Sequence, residues 1–156
     1  MKFTDKVITK TKTFCCDAKT MWQKWSTHEG LKTFFGADNK IELHPGGAFE
    51  IYFLMSLPDG SRGSEGCKIL SYVPEKMISF SWNAPPNMTY VRNHEYKTSV
   101  AVLFEKQAEK ILVTISHHGW PEGKEWDEVY NYFHKAWEQV LGSLEKSLEV
   151  RAKTLP

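Results

Sequence analysis

The sequence predicts an α+β fold in which a curved antiparallel sheet of about seven strands wraps around one long C-terminal helix. Three observations predict this fold. Short segments of alternating polar and apolar residues follow one another through the middle of the chain. Turn residues separate them at short intervals, which indicates an antiparallel meander. A helical pattern from about Glu125 to Val150 closes the chain and is the element long and apolar enough to cover the sheet.

Composition favours one globular domain over residues 1–156 and argues against several classes of partner. The 20 basic and 19 acidic residues give a formal net charge of +1, and no basic run is long enough to bind nucleic acid through phosphates. No segment approaches the ~20 apolar residues of a membrane span. The three cysteines form no C-x-x-C pair, so we expect reduced thiols and a cytoplasmic protein.

The first elements are a strand and short helices. Alternation from Lys6 to Phe14 predicts the opening strand. Asp17 is then expected to cap a helix that ends between Ser26 and Gly30. The segment from Leu31 to Phe35 is expected to add one further turn.

Four more strands are expected in the middle of the chain. A short strand over Lys40–Leu43 precedes a Pro-Gly-Gly turn, and Ala48–Leu54 follows it. The segments Gly63–Val73 and Met77–Trp82 continue the meander. Each strand shows the alternation typical of a sheet with one buried face.

The segment Asn83–Tyr96 is the one long irregular stretch, and it contains two prolines. Loops of this length in compact domains are often lids or binding loops, so we expect it to border a cavity and to be the most mobile part of the fold. Within it, Arg92 and Glu95 have two interpretations. They either hold a polar group of a ligand at the cavity mouth or form a surface ion pair.

The last two strands and the helix complete the pattern. Alternation predicts strands over Ser99–Glu105 and Ile111–His118, joined by a hairpin. Apolar residues at spacings of three and four give the C-terminal helix a broad apolar face, with Trp137 at its centre. We therefore expect Trp137 to be buried against the sheet.

Several segments of the chain resemble the family called activator of Hsp90 ATPase homologue-like, which has the helix-grip, START-like fold. The resemblance covers about residues 5–150. It is carried by Asp17 to Trp22, by Pro45-Gly46-Gly47 with Phe49, by Gly66 to Trp82, by Ser99 to Glu105, and by His117 to Trp120 before the Trp137 helix.

The resemblance implies a cavity between the sheet and the C-terminal helix. Proteins with this fold bind lipids, polyketides, plant hormones or other apolar molecules, and some are enzymes. The co-chaperones that give the family its name stimulate the Hsp90 ATPase and carry an additional N-terminal domain.

The residues predicted to line this cavity are those that alternation and helical spacing turn toward one another. Large flat side chains on a curved sheet and a straight helix are expected to leave a space at one end. The predicted lining residues are Phe49, Ile51, Phe53, Phe80, Trp82, Val102, Phe104, Val113, Ile115, His117, Tyr130, Phe133 and Trp137.

His117 has two interpretations. It shares a strand face with Ile115 and Val113, so its imidazole could act as an acid or base or contact a polar atom of a ligand. Alternatively, it is a hydrogen-bonded histidine that fixes the end of the strand. The histidines do not have metal-ligand spacing with cysteines or carboxylates, and we predict neither a metal nor a cofactor.

Three functions are compatible with these patterns. The leading hypothesis is non-enzymatic binding of an apolar or amphipathic small molecule in the cavity. The second is a cyclase, aromatase or hydrolase that uses His117 or a tyrosine such as Tyr130 as its acid-base group. The third is a module that binds a chaperone of the Hsp90 type. A homodimer also remains open.

Overall fold

The computed structural model describes residues 1–154 and, within them, the side chains of residues 1–149. Strands and short helices precede a long final helix, as the sequence predicts. The elements are β1 (Ile8–Phe14), α1 (Ala18–Ser26), α2 (His28–Lys32), β2 (Asp38–Ile41), β3 (Phe49–Tyr52), β4 (Ile69–Val73), β5 (Met77–Trp82), α3 (Thr89–Arg92), β6 (Thr98–Gln107), β7 (Lys110–His118) and α4 (Lys124–Thr154).

The strands form a five-stranded antiparallel sheet in the order β1-β7-β6-β5-β4 and a two-stranded sheet of β2 and β3. The short sheet is joined to the approach of β4, where the backbone N–H of Phe49 donates to the carbonyl of Cys67 at 2.9 Å. The N–H of Ile69 donates to the carbonyl of Gly47 at 2.8 Å. The expected fold is confirmed, with its seven strands divided between two linked sheets.

Two strands are shorter in the structure than the sequence predicts. The predicted strand Gly63–Val73 begins only at Ile69, because the preceding residues make a turn in which Gly66 has φ +84° and the Glu65 carboxylate accepts two backbone N–H groups. The predicted strand Ala48–Leu54 ends at Tyr52. These shorter strands leave one continuous irregular segment, residues 53–68, part of which lies beside the end of β5.

The helix α1 begins where the sequence predicts. The Asp17 side chain accepts a hydrogen bond from the backbone N–H of Thr20 at 2.7 Å, which satisfies one of the donors left open at a helix start. Thr27 caps α2 in the same way, through the N–H of Gly30. Trp25 of α1 and Leu31 of α2 are fully buried, so both short helices contribute to the hydrophobic core.

The long helix α4 covers the apolar face of the larger sheet. Its buried residues recur every three or four positions: Trp126, Val129, Phe133, Trp137, Leu141 and Leu144. At its edge, Lys10 and Lys12 of β1 pair with Glu138 and Glu145 of α4. Within residues 1–154, no helix is long and apolar enough to cross a membrane.

Candidate functional site

A cavity of about 510 Å³ lies against α4. Its walls come from one side of that helix, from the residues after α2, from the segment between β3 and β4, and from residues 83–87 after β5. This volume is within the range of small-molecule sites, which is roughly 300–1,000 Å³. Six residues of the long irregular segment line the cavity, so the predicted contact between that segment and a cavity is present: Asn83, Ala84, Pro85, Pro86, Asn87 and Arg92.

Aromatic rings form the deep wall. Trp82 lies 5.4 Å from Trp137 and 5.5 Å from Phe35, measured between ring centroids, and Phe133 lies 5.9 Å from Trp137. Trp82 is placed here by the alternation of β5, and Phe133 and Trp137 are one helical turn apart on the same face of α4. Such a wall favours flat, apolar guests.

Phe35 reaches this wall through the turn that follows α2. Gly36 has φ +81°, and a Cβ at this position would lie 2.7 Å from Cγ2 of Ile51 and 2.8 Å from the carbonyl oxygen of Tyr52. Only glycine fits such a close approach to backbone in this conformation. The glycine thus lets the chain turn tightly enough to bring Phe34 and Phe35 to the cavity.

Four of the residues predicted from the sequence line this cavity: Phe53, Trp82, Phe133 and Trp137. Phe53 is 44% exposed because it follows the end of β3. Eight others are buried in the core at positions away from these walls: Phe49, Ile51, Phe80, Val102, Phe104, Val113, Ile115 and His117. Their space is filled by neighbouring side chains, as where the rings of Phe49 and Phe80 stack at 4.0 Å.

Tyr130 lies outside the cavity walls. Its ring packs edge-on against Trp120 at 5.3 Å and His134 at 4.9 Å, and the Nζ of Lys6 lies 5.1 Å from its centroid. The tyrosine that lines the cavity is Tyr132, two residues further along α4.

His117 is fully buried, and both of its ring nitrogens have partners. The indole N–H of Trp137 donates to Nδ1 at 3.0 Å, and Nε2 lies 2.7 Å from Oγ1 of Thr98. Because Nδ1 accepts, the neutral ring carries its proton on Nε2 and donates it to Thr98. Burial is the main cause that holds the pKa of His117 well below its ordinary value, and the nearby His118 lowers this pKa further. These contacts match the interpretation in which His117 fixes the end of its strand.

Arg92 organises the cavity mouth. Its Nη1 donates to the carbonyl oxygens of Gly63 at 2.8 Å and Ala84 at 2.6 Å, while Nη2 donates to Gly60 at 2.6 Å and lies 3.4 Å from the Glu65 carboxylate. The side chain is only 8% exposed. This geometry corrects the surface-pair interpretation: Arg92 pairs with Glu65 from a distant turn, because α3 directs it toward the segment between β3 and β4.

Glu65 is held as a carboxylate by the turn around it. The backbone N–H groups of Arg62 and Gly63 donate to its two oxygens at 2.9 and 2.7 Å. Burial alone would raise the pKa of Glu65, but these backbone hydrogen bonds lower it below its ordinary value. The Arg62 side chain, which also lines the cavity, bonds the carbonyl of Leu57 and the carboxylate of Asp59.

Trp82 has a buried indole N–H without a hydrogen-bond partner among the described residues. The residue is 4% exposed and lines the cavity. Two other polar groups at the walls accept hydrogen bonds from the backbone: the Ser64 hydroxyl from the N–H of Ile51, and the side-chain oxygen of Asn83 from the N–H of Ala84. Within the described residues, no group of three His, Cys, Asp or Glu side chains is placed to hold a metal ion.

A second, more polar groove of about 800 Å³ lies between α1, α2 and the later part of α4. Hydroxyl groups and the side chains of Lys24 and Lys146 contribute to its walls. Phe34, Gly36 and Ser143 border both depressions, so the two are adjacent. An apolar cavity beside a polar groove suits a molecule with one apolar and one polar end.

Sequence reasoning missed half of the cavity wall. Phe34, Phe35, Arg62 and Tyr132 lie outside the alternating strands and the apolar stripe from which the lining was predicted. The adjacent phenylalanines before a glycine were a signal, because two large rings in a short connection need a place to be buried.

The model of the family described as Activator of Hsp90 ATPase homolog 1-like protein matches residues 16–149. The chain belongs to this family. The match runs from just before α1 to the later part of α4, and it confirms the resemblance carried by the sequence motifs. Comparison with curated proteins gives no match.

Solved structures of similar fold span nearly the whole chain. A Mesorhizobium loti protein has a TM-score of 0.73 at 15% identity, over 97% of this chain and 100% of that one. Aha1 from Colwellia psychrerythraea, solved in solution as a dimer, has a TM-score of 0.67 at 17% identity, over 93% and 97%. An HSP90 activator from Plasmodium falciparum has a TM-score of 0.69 at 17% identity, over 92% and 96%. At these identities the likeness shows the fold.

Proposed function

We propose that the domain binds an apolar or amphipathic small molecule in the cavity beside α4, without catalysing a reaction. The observation that carries this proposal is a cavity of about 510 Å³ with an aromatic deep wall and a mostly apolar lining surface. Burying a flat apolar surface there releases water from both the ligand and the rings. This burial contributes about 25 cal/mol of favourable free energy per Å² of apolar surface removed from water. The adjoining polar groove gives an amphipathic molecule a place for its polar end.

Binding is favoured over catalysis by the side chains at the walls. Among the described residues that line the cavity there is no His, Cys, Asp, Glu or Lys, the groups that most often transfer protons or attack substrates. His117 has both ring nitrogens occupied and is shielded from the cavity by burial. The cyclase, aromatase or hydrolase alternative is left with Tyr132, which lines the cavity but is 46% exposed, as its acid-base group.

Binding of the fluorophore 1-anilinonaphthalene-8-sulfonate tests this proposal. We expect saturable fluorescence enhancement with the folded protein and competition by dodecanoate. The substitution Ala136→Phe places a large ring on the cavity side of α4 and should weaken binding at least tenfold, because the ring occupies the volume that the ligand needs.

Asn131→Phe is the matched control, since residue 131 is on the same helix but is exposed and is not among the lining residues. This control should bind the fluorophore as the wild type does, and both variants should keep cooperative thermal unfolding. Non-saturable binding, or equal affinity of Ala136→Phe and wild type, would contradict the proposal.

A second candidate function is binding to a chaperone of the Hsp90 type. It is favoured by the family to which the chain belongs and by the description of the Plasmodium falciparum relative as an HSP90 activator. Such an interaction would use the outer surface of the domain. Stimulation of an Hsp90 ATPase that is equal in wild type and Ala136→Phe, together with absent fluorophore binding, would move this function to first place.

A further inference from the structure

The side-chain amide of Asn83 is a nearly buried polar group in the cavity wall. Asn83 directly follows the last residue of β5, and it is 9% exposed. Its side-chain oxygen accepts a hydrogen bond from the backbone N–H of Ala84 at 2.8 Å. Because an oxygen and not an NH₂ group must face this backbone donor, the same bond fixes the position of the amide nitrogen, Nδ2.

Nδ2 of Asn83 is unpaired and accessible. Within the described residues it makes no hydrogen bond, since the bond of this side chain to Ala84 uses the oxygen. The fully buried polar side-chain atoms without a partner in that part of the chain are the indole nitrogens of Trp25 and Trp82, and Nδ2 is not one of them. The open space that Asn83 lines is the cavity, so the two N–H groups of Nδ2 can reach a bound molecule.

The other polar side chains of the wall are bonded to the protein or lie at the exposed rim. The Ser64 hydroxyl accepts from the N–H of Ile51 and lies 3.5 Å from the carbonyl oxygen of Phe49. Both Nη atoms of Arg92 donate to protein acceptors, and Arg62 bonds the loop that contains it. Bulk water solvates the exposed polar side chains without any ligand. They are Asn87, Tyr132, Gln139 and Ser143.

The complement of an amide nitrogen is an acceptor oxygen, because the nitrogen only donates. In an apolar cavity this donor is selective, since a guest without an acceptor displaces the water that solvates Nδ2 and leaves its N–H groups unpaired. A neutral carbonyl suits the site better than a carboxylate, which would lose its hydration beside a neutral amide. The cationic groups of the wall, Arg62 and Arg92, are already paired with Asp59 and Glu65.

We infer that the molecule bound in the cavity has a flat apolar body and a neutral carbonyl oxygen that accepts a hydrogen bond from Nδ2 of Asn83. This inference rests on the proposed function, and it names the chemical class of the ligand. The aromatic rings of Phe35, Phe133 and Trp137 provide the surface for the flat body. The Asn83 amide fixes the orientation of the guest.

The compounds 2-ethylnaphthalene and 2-acetylnaphthalene are a matched pair of probes, because the second has a carbonyl oxygen in place of two hydrogens. Displacement of 1-anilinonaphthalene-8-sulfonate should show 2-acetylnaphthalene binding the wild type about tenfold more tightly, the effect of one added hydrogen bond. The anion 2-naphthoate should bind more weakly than the ketone.

Nuclear magnetic resonance on the wild type reports the contact directly. In nitrogen-15 spectra, a side-chain amide proton of Asn83 should shift downfield with 2-acetylnaphthalene and much less with 2-ethylnaphthalene. The signal is identified by its absence from the spectrum of an Asn83→Asp variant. This measurement tests the inference even where a variant fails to fold.

Asn83→Asp keeps the size of the side chain and an oxygen for the Ala84 N–H, and at about pH 8 its carboxylate has no donor. We expect this variant to bind the two naphthalenes equally, with its affinity for 2-ethylnaphthalene within about threefold of wild type. Asn93→Asp makes the same change at an exposed position of the same segment, outside the cavity walls, and should keep the tenfold preference. Thermal unfolding checks that both variants are folded.

The outcomes separate this inference from the function on which it rests. Equal binding of the matched probes by the wild type, or a preference that persists in Asn83→Asp, overturns the inference and leaves the proposed function standing. A preference lost also in Asn93→Asp, or tighter binding of 2-naphthoate than of the ketone, has the same consequence. So does saturable fluorophore binding that neither naphthalene displaces. Absence of saturable fluorophore binding overturns both.

Discussion

At the scale of single residues, His117 illustrates how one histidine joins three elements of the fold. Its ring lies on β7, accepts from Trp137 of α4 and donates to Thr98 at the start of β6. A proton on Nδ1 would remove the acceptor of the Trp137 indole, so the fold requires a neutral imidazole here. We therefore expect the docking of α4 to depend on pH through this residue.

The free energy of unfolding should fall as the pH is lowered through the histidine range. The unfolded imidazole has a pKa near 6.5, and burial holds the folded value well below it. Below about pH 6.5 the unfolded state thus binds more protons than the folded state, and stability decreases by up to about 1.4 kcal/mol per pH unit. Urea unfolding between pH 7.5 and 5 measures this slope.

His117→Gln should lose that part of the slope, because glutamine does not titrate. His44→Gln serves as the control, since His44 is exposed and should leave the slope unchanged. If the His117→Gln protein shows the wild-type slope, the buried imidazole is not the group responsible.

At the scale of elements, the Arg92 side chain anchors the segment between β5 and β6 to the segment between β3 and β4. The guanidinium group of Arg92 links α3 to the carbonyls of Gly63 and Ala84 and to the carboxylate of Glu65. The sequence prediction that this segment is the most mobile part of the fold remains a prediction. The Arg92 contacts indicate which interaction limits its motion.

Arg92→Met should destabilise the protein by about 3–5 kcal/mol, because it removes the positive charge beside the largely buried Glu65 carboxylate and leaves several carbonyls without a donor. Arg62→Met, at the more exposed neighbouring arginine, should cost less than about 1 kcal/mol. Urea unfolding gives both values. Hydrogen exchange should show protection lost over residues 84–96 in Arg92→Met, with β6 still protected. Equal costs for the two variants would refute this account.

At the scale of the whole molecule, one helix and one sheet share a single core. Trp137 stands at its centre, 1% exposed, in contact with Phe35, Trp82 and Phe133. This burial confirms the prediction made from the apolar stripe of α4. The same ring closes the deep end of the cavity, so one side chain belongs both to the core and to the cavity wall.

Trp137→Ala should lower the free energy of unfolding by about 3–5 kcal/mol, since it removes a buried ring and enlarges the cavity. Tyr132→Ala, on the same helix but 46% exposed, should cost less than about 1 kcal/mol. Chemical denaturation of both variants provides the comparison. A cost below about 1 kcal/mol for Trp137→Ala would mean that α4 is not docked on the sheet as described.

The sequence by itself determined the parts of this protein that depend on local periodicity. Two-residue alternation defined β5 and β7, the Asp17 cap located α1, and spacings of three and four defined the buried face of α4. These patterns also carried the family resemblance. They are readable because backbone geometry fixes which neighbours along the chain share a face.

Tertiary structure alone decided which of the aromatic residues fill the core and which line a cavity. Phe49 and Phe53 share one face of the predicted strand. In the structure, Phe49 stacks on Phe80 while Phe53 lies at the cavity, because the strand ends between them. The partners of Arg92 in the segment between β3 and β4 likewise lie 27 to 32 residues away, and the ring partners of His117 lie 19 and 20 residues away. Such contacts depend on how elements meet in space, and no local spacing encodes that meeting.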